Sequence, residues 1–387
     1  MLARNITAKV TLLSDLHIGA GNVLIKGLDW IARSDDHVYF ADHAAILETI
    51  LARAIDDGKD ELDVVNAITG MKLDDLVDAG WLHREDFRSS SLFPYRYRGQ
   101  PATSQIREQM KSVNQQPYLP GSSLKGAIRT IIATVAADEL QPDANERKLD
   151  GRVKWAAKPI EQTLFGSDPN HDFLRLLQVS DSAPVSADRL RLRRAHIYPT
   201  SSQSQRGRSR GLDIDLETVA RDTEFTLSLH MPLELLEKSQ GAFEKRRNQE
   251  LRDWERRRAW LDNLADHGRD YARRLLIEEV TYFQKRTDVP AVHRFYNFLV
   301  DRFSKLTENQ FMLPLGWGTG WHTKTLNQYL KKDSQNFEKI AKKYRLDPTG
   351  SRQPEDRFPK SRHLLRQPNG EPSEPLGWIM VELADRS

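Results

Sequence analysis

Residues 6–13, ITAKVTLL, alternate apolar and polar side chains, the period-two signature of a strand with one buried face. The same alternation returns in EFTLSLHM at 224–231, and the apolar run LGWIMVEL at 376–383 reads as a closing strand, so the chain is expected to open and close on strands. VLIKGLDWIARSDDHVYF, starting at Val23, predicts two short strands joined by a turn at 34–36. Period 3.6 takes over after Asp42, a helix cap, with Ile46, Leu47, Ile50, Leu51 and Ile55 on one stripe. Residues 60–88 predict irregular helix, and the polar run 89–116 a long connection or an inserted strand pair. A helix is expected over 122–140, and a strand ending in a polar turn over 173–184. The charged, arginine-rich stretch 242–285 predicts helix interrupted at His267-Gly268, with Leu251, Trp254, Leu261 and Leu264 as its buried stripe. Another helix follows over 292–306, and 347–375, rich in Pro, Arg and Asp, predicts irregular chain.

Composition narrows the class. The 387 residues suffice for two or three domains, and 39% hydrophobic residues supply sizeable cores. Charged residues reach 29% while the net charge is only +3, so local clusters matter more than the total. There is no cysteine, which excludes disulfides, thiolate metal sites and cysteine nucleophiles. No signal-peptide pattern or apolar run of membrane-spanning length stands out, so a soluble, cytoplasmic protein is expected. The histidines are scattered and form no metal-ligand pattern.

Four stretches carry candidate chemistry. In YLPGSSLKGAIRT, from Tyr118, lysine precedes the second glycine, and no hydroxyl follows the lysine to hold Mg²⁺. That order excludes a nucleotide-hydrolysing P-loop. A helix N-terminus with Ser122, Ser123, Lys125 and Arg129 is still suited to one phosphate of a polynucleotide, or is an ordinary cap with solvated cations. In LGWGTGWHTKTL, from Leu315, the alternating Gly316, Gly318 and Gly320 allow close backbone approach to an anion. Trp317 and Trp321 could stack on a base or fill a core, with His322 and Lys324 beside them. SDLHIGAGN, residues 14–22, offers His17 for acid–base work or as a hydrogen-bonded structural group. Finally, residues 189–211 hold seven arginines and no acidic side chain; the Ser/Gln/Gly-rich middle predicts a basic hairpin tip suited to phosphate.

The order of LHIGAGN (16–22), LPGSSLKGAIRT (119–130), LETVARDTEF (216–225) and GWGTGWHTKT (316–325) resembles the RAMP superfamily of CRISPR-associated proteins. Within it the chain is most similar to the subunits that cap the 3′ end of the CRISPR RNA in type III-A Csm effector complexes. Val219-Ala220-Arg221-Asp222 stand where the family's turn would carry Pro and Gly. The resemblance implies an α+β fold of ferredoxin-like, RRM-type domains with glycine-rich loops. These would be an N-terminal domain over 1–230, carrying the basic hairpin at about 185–225, and a helical second domain over 231–387. It implies RNA contacts at His17, Gly19, Gly21, Ser122, Ser123, Lys125, Arg129, Gly316, Gly318, Gly320, His322 and Lys324. Arg206, Arg208 and Arg210 would lie on a thumb-like hairpin. It further implies no catalytic residue, no cofactor and no metal. The partners would be the 3′ portion of the CRISPR RNA, target RNA, the backbone and small subunits of the complex, and host nucleases recruited for maturation. Two rivals belong to the same superfamily. One is a metal-independent endoribonuclease using His17 or His322; the other is a target-cleaving backbone subunit using Asp29, Asp35 or Asp36.

Overall fold

A computed structural model describes residues 4–166, 168–169, 172–199, 212–232, 254–323, 326–346 and 361–385. The alternating segments at the two ends of the chain become neighbours. Strand β1 (Arg4–Leu12) lies between β10 (Glu224–Met231) and β14 (Trp378–Asp385), both antiparallel to it. Ala8, Val10 and Leu12 point from β1 into the core, fully buried. The outer positions are β7 (Gln178–Val179), beside β10, and β11 (Gln310–Pro314), beside β14. Counting β1, β7, β10 and β14 as strands one to four, the order β14-β1-β10-β7 is the 4-1-3-2 arrangement of a ferredoxin-like sheet, with β11 added at one edge. The expected division after residue 230 falls within this sheet, which draws strands from both sides of it.

The crossover helices follow from sequence periodicity. Helix α4 (Gly121–Leu140) buries Leu124, Ile128, Ile131, Ile132 and Ala136, a 3.6-residue stripe, and carries the chain from β1 toward β7. The return from β10 to β14 runs through α6 (Trp254–Asp262), α7 (Leu264–Gln284) and α8 (Pro290–Ser304). The helix break expected at His267-Gly268 lies instead at Asn263, and α7 passes through Gly268 without interruption. The reason is packing: a Cβ at Gly268 would come within 2.4 Å of the Phe311 ring on β11. Glycine sits there to let helix and sheet approach, at a propensity cost of about 1 kcal/mol.

Insertions build a second sheet, in the order β13-β12-β8-β9-β6-β2. Its centre is the expected hairpin, β8 (Leu190–Pro199) paired with β9 (Asp213–Val219). The tip, with Arg206, Arg208 and Arg210, lies outside the described residues. Strand β6 (Gln105–Gln109) joins β9 in parallel, and β2 (Gly19–Ile25) forms the outer edge beyond β6. On the other side β12 (Ser361–Arg366) and β13 (Pro372–Pro375) occupy a stretch expected to be irregular. Pairing of β12 with β8 overrides its composition, and the prolines of β13 are tolerated at a sheet edge. The strand expected from Phe173 is a 3₁₀ turn, Phe173–Leu176, capped by the Asp172 carboxylate accepting from Leu174 N at 2.8 Å, so β7 keeps only two residues.

A satellite unit completes the fold. Strands β3 (Trp30–Ala32), β4 (His37–Phe40) and β5 (Tyr95–Arg98) form a third sheet. The helices α1 (His43–Asp56), α2 (Glu61–Ile68) and α3 (Leu73–Asp78) share a separate core with it, around Tyr39, Ile46, Ile50, Leu76, Phe87 and Phe93. Asp42 caps α1 as expected, accepting from Ala45 N at 3.1 Å. The remaining short helices are α5 (Lys158–Phe165), α9 (Asn327–Leu330) and α10 (Ser334–Lys343).

The Gly268–Phe311 contact makes the helix-to-sheet distance testable. Gly268→Ala is expected to destabilise the chain by about 1–3 kcal/mol through overpacking, although alanine is the better helix former. Urea unfolding measures this; an alanine variant as stable as the parent would contradict the close approach.

Candidate nucleic-acid interface

The two glycine-bearing loops, three hundred residues apart in sequence, lie against each other. After β1 the chain turns through Ser14–Ile18, and its backbone is gripped on every side. Leu16 exchanges N–H···O bonds with Val219 of β9, at 2.9 and 2.8 Å. Gly377 N donates to Asp15 O at 2.9 Å, and Trp317 N donates to His17 O at 2.8 Å. Gly316 has φ +86°, and a Cβ there would meet His17 O at 2.5 Å. Glycine is required at this position both by the left-handed backbone and by the neighbouring carbonyl.

Beneath this junction lies a buried polar centre. The His17 ring is 1% exposed, and its Nδ1 donates to the Glu217 carbonyl at 2.7 Å. The Glu217 side chain, with no exposed surface, accepts from Lys111 Nζ at 2.8 and 3.0 Å, Tyr97 OH at 3.0 Å and Gln109 N at 2.9 Å. Gln109 in turn accepts from Ile18 N at 2.8 Å. One carboxylate thus ties β9, β6, the satellite sheet and the loop after β1. Burial, and then the Glu217 charge, pushes the Tyr97 phenol well above its ordinary range.

Above the junction is an aromatic and cationic surface. Trp317 stands edge-on to His17, with ring centres 5.8 Å apart, and lies 4.6 Å from the His363 ring of β12. The Arg107 guanidinium from β6 sits 4.8 Å over the Trp317 ring. Gly19 and Gly21 open β2 alongside, exposed, with a register shift between Gly19 and Val23. Gly320 likewise faces open space. Gly318 does not: a Cβ there would press on Leu376 at 2.9 Å.

His322, expected on this surface, is buried, and so is His17. His322 lies in a polar cluster under the loop. Its Nδ1 is 3.3 Å from Glu278, and its Nε2 is 3.7 Å from Glu279, which holds Arg362 in a buried bidentate pair at 2.8 and 2.9 Å. Lys324 lies outside the described residues.

The start of α4 is also more committed than its sequence suggested. Pro120, not serine, is its N-cap, and Gly121 N donates to the Asp181 carboxylate at 2.7 Å. A Cβ on Gly121 would meet Val179 O and Ser180 O at 2.3 and 2.4 Å, so the turn is pressed onto the strand edge. Ser122 remains exposed and Ser123 half-buried. Arg129 is engaged by Asp172 at 2.6 Å and lies 3.8 Å over the Phe165 ring. Lys125 is half-buried, and burial lowers its ammonium pKa. Lys125 and Arg129 do share a cavity with Trp321, so the helix end and the glycine-rich segment face a common space. Arg107 and Lys111 carried no recognisable motif, and Glu217 lay within LETVARDTEF without being singled out; the pattern in QIREQ, with Ile106 buried, leaves Arg107 outward.

A 4-1-3-2 sheet with glycine-rich loops clasped beside it is the architecture of a RAMP domain. The profile described as the RAMP superfamily matches residues 9–323, and the chain belongs to that superfamily. Along its whole length it is 25% identical to the CRISPR system protein Csm5 of Methanocaldococcus jannaschii, of which 91% is covered. Its fold is similar to a chain in the cryo-EM structure of a type III-A Csm–crRNA–target RNA ternary complex, with a TM-score of 0.65, 22% identity, and 98% and 100% of the two chains covered. It is also similar to the crystal structure of T. onnurineus Csm5, with a TM-score of 0.60, 20% identity, and 96% and 99% covered.

Burial lowers both His17 and His322 from an ordinary 6.5 to about 4. Between those values the unfolded chain binds more protons than the folded one, so stability falls as pH drops through the window. The contribution, up to roughly 3 kcal/mol per histidine, is whole above about pH 6.5 and gone below about pH 4. His17→Asn keeps a donor toward the Glu217 carbonyl and removes the titration. Chemical denaturation from about pH 7.5 to about 4.5 should give a slope shallower by close to one proton in the variant. Identical slopes would show that His17 is not held neutral.

Proposed function

We propose that this chain is the non-catalytic, RNA-binding subunit of a type III-A CRISPR interference complex that caps the 3′ end of the CRISPR RNA. It supports maturation of that RNA and assembly of the complex in antiviral defence. The observation that carries the reading is the clasp between His17 and Gly316, which presents Arg107 and Trp317 beside the exposed Gly19–Gly21 edge. A cation stacked on an indole, next to backbone that a ligand can approach closely, suits a sugar–phosphate chain and an unpaired base. Resemblance to Csm5 proteins over the full length supports the same placement.

The partners follow from it: the 3′ portion of the CRISPR RNA, target RNA, the backbone and small subunits of the complex, and host nucleases. The place of work is the cytoplasm; among the described residues no helix is long and apolar enough to cross a membrane. The subunit is read as non-catalytic because both candidate histidines are buried beneath the surface, His17 with its Nδ1 donating to the Glu217 carbonyl. A general base must reach the 2′-hydroxyl it deprotonates, and these rings do not.

Phosphate contacts carry no base information, so binding should tolerate sequence and weaken with salt. Replacing Arg107 and Lys125 together by alanine should weaken RNA retention in the assembled complex about tenfold or more. It should also flatten the salt dependence by roughly 0.7 per lost contact. Filter binding across a salt series reads both. Wild-type retention with an unchanged slope would sink the assignment of both positions.

A further inference from the structure

A cavity of about 890 Å³ adjoins the glycine-rich segment on the side of α4. Lys125 and Arg129 of α4 form one wall, and Trp321, Phe337, Ile340 and Tyr344 face them from the C-terminal segment. The rim is a short 3₁₀ turn, Val153–Trp155, followed by Lys158 at the start of α5. Trp155 is unusual among the tryptophans in being 39% exposed, and Val153 beside it is 68% exposed. The ammonium groups of Lys158 and Lys154 lie 5.0 and 5.3 Å from the Trp155 ring centre.

We propose that this cavity is a pocket for one unpaired nucleotide, with the base stacked on Trp155 and its phosphate met by Lys125, Lys154 and Lys158. The inference rests on the RNA-binding reading above and adds a second, base-holding station to it.

Three observations carry the choice of ligand. The volume is that of a small-molecule site and accommodates a nucleotide with its sugar. An exposed indole flanked by two lysines offers a stacking face and phosphate counter-charge in one turn, the pairing used for single-stranded nucleic acid. Of the two α4 cations in the wall, Arg129 is already neutralised by Asp172. The Lys125 charge is opposed by burial, and a bound phosphate would favour it. The cavity also adjoins the glycine-rich segment through Trp321, four residues beyond Trp317. An RNA tracking that segment can therefore turn a base inward. A purely apolar peptide anchor would use the Phe337–Ile340 wall but leave the lysine-flanked rim unexplained.

The test uses the full chain in its assembled complex and single-stranded RNA carrying 2-aminopurine at successive positions. Stacking should quench the probe at one position only. Trp155→Ala should abolish that quench and weaken binding about tenfold. It should leave the salt slope unchanged, since no phosphate contact is lost, and Trp155→Phe should restore most of the signal. If wild type binds RNA and Trp155→Ala changes neither quench nor affinity, the pocket is overturned while the RNA-binding reading stands. If Trp155→Ala instead blocks incorporation of the subunit with RNA affinity intact, the cavity docks protein and the proposal is equally overturned. Failure of the wild-type chain to retain RNA at all would remove the underlying reading.

Discussion

The Glu217 carboxylate, shut away from water, is the point on which the rest of the molecule turns. Its oxygens hold Lys111, Tyr97 and the Gln109 amide, and its own carbonyl holds His17. A buried ion pair contributes little net stability against an apolar substitute, because both charges lose their hydration. Losing one partner is another matter, since it strands a charge at a cost of about 3–5 kcal/mol. The arrangement therefore selects a geometry more than it stabilises one. The observed placement of β9, β6, the satellite sheet and the loop after β1 gives each of these groups a partner.

From that placement the surface follows. His17 is fixed from below by Glu217, and its carbonyl fixes Trp317 from above. Gly316 must be glycine for the loops to touch. The Trp317 ring then stands between His363 and Arg107, so residues from β6, β12 and the glycine-rich loop form one face. The histidines set the shape of the floor, and the cations and glycines stand above it.

The sequence disclosed what is local. Alternation placed β1 and β10, strand-like runs placed β14 and the arms of the β8–β9 hairpin, and helix-like runs placed α1, α4 and α8. It could not disclose what depends on distant partners. Strands β12 and β13 hide in a Pro- and Arg-rich run because their order comes from pairing with β8. Gly268 looked like a helix break because its reason, Phe311, lies over forty residues away. The start of α4 left an anion site and an ordinary cap both open, and only the fold shows that the amide of Gly121 is taken by Asp181 while Lys125 lines a cavity. His17 left two readings open, and only the fold shows it buried with its Nδ1 on the Glu217 carbonyl. Arg107 sits in no motif at all, and only the fold brings Trp317 to it; Trp155 has its lysines beside it in sequence, but only the fold sets them at a cavity.

On the proposed function, the loops at 16–22 and 315–321 form one preassembled RNA surface. Hydrogen–deuterium exchange of the subunit with and without single-stranded RNA tests it most directly. Amides of both loops should gain protection together, in the same range of RNA concentration. RNA binding that leaves both loops unprotected, or protects one without the other, would contradict it.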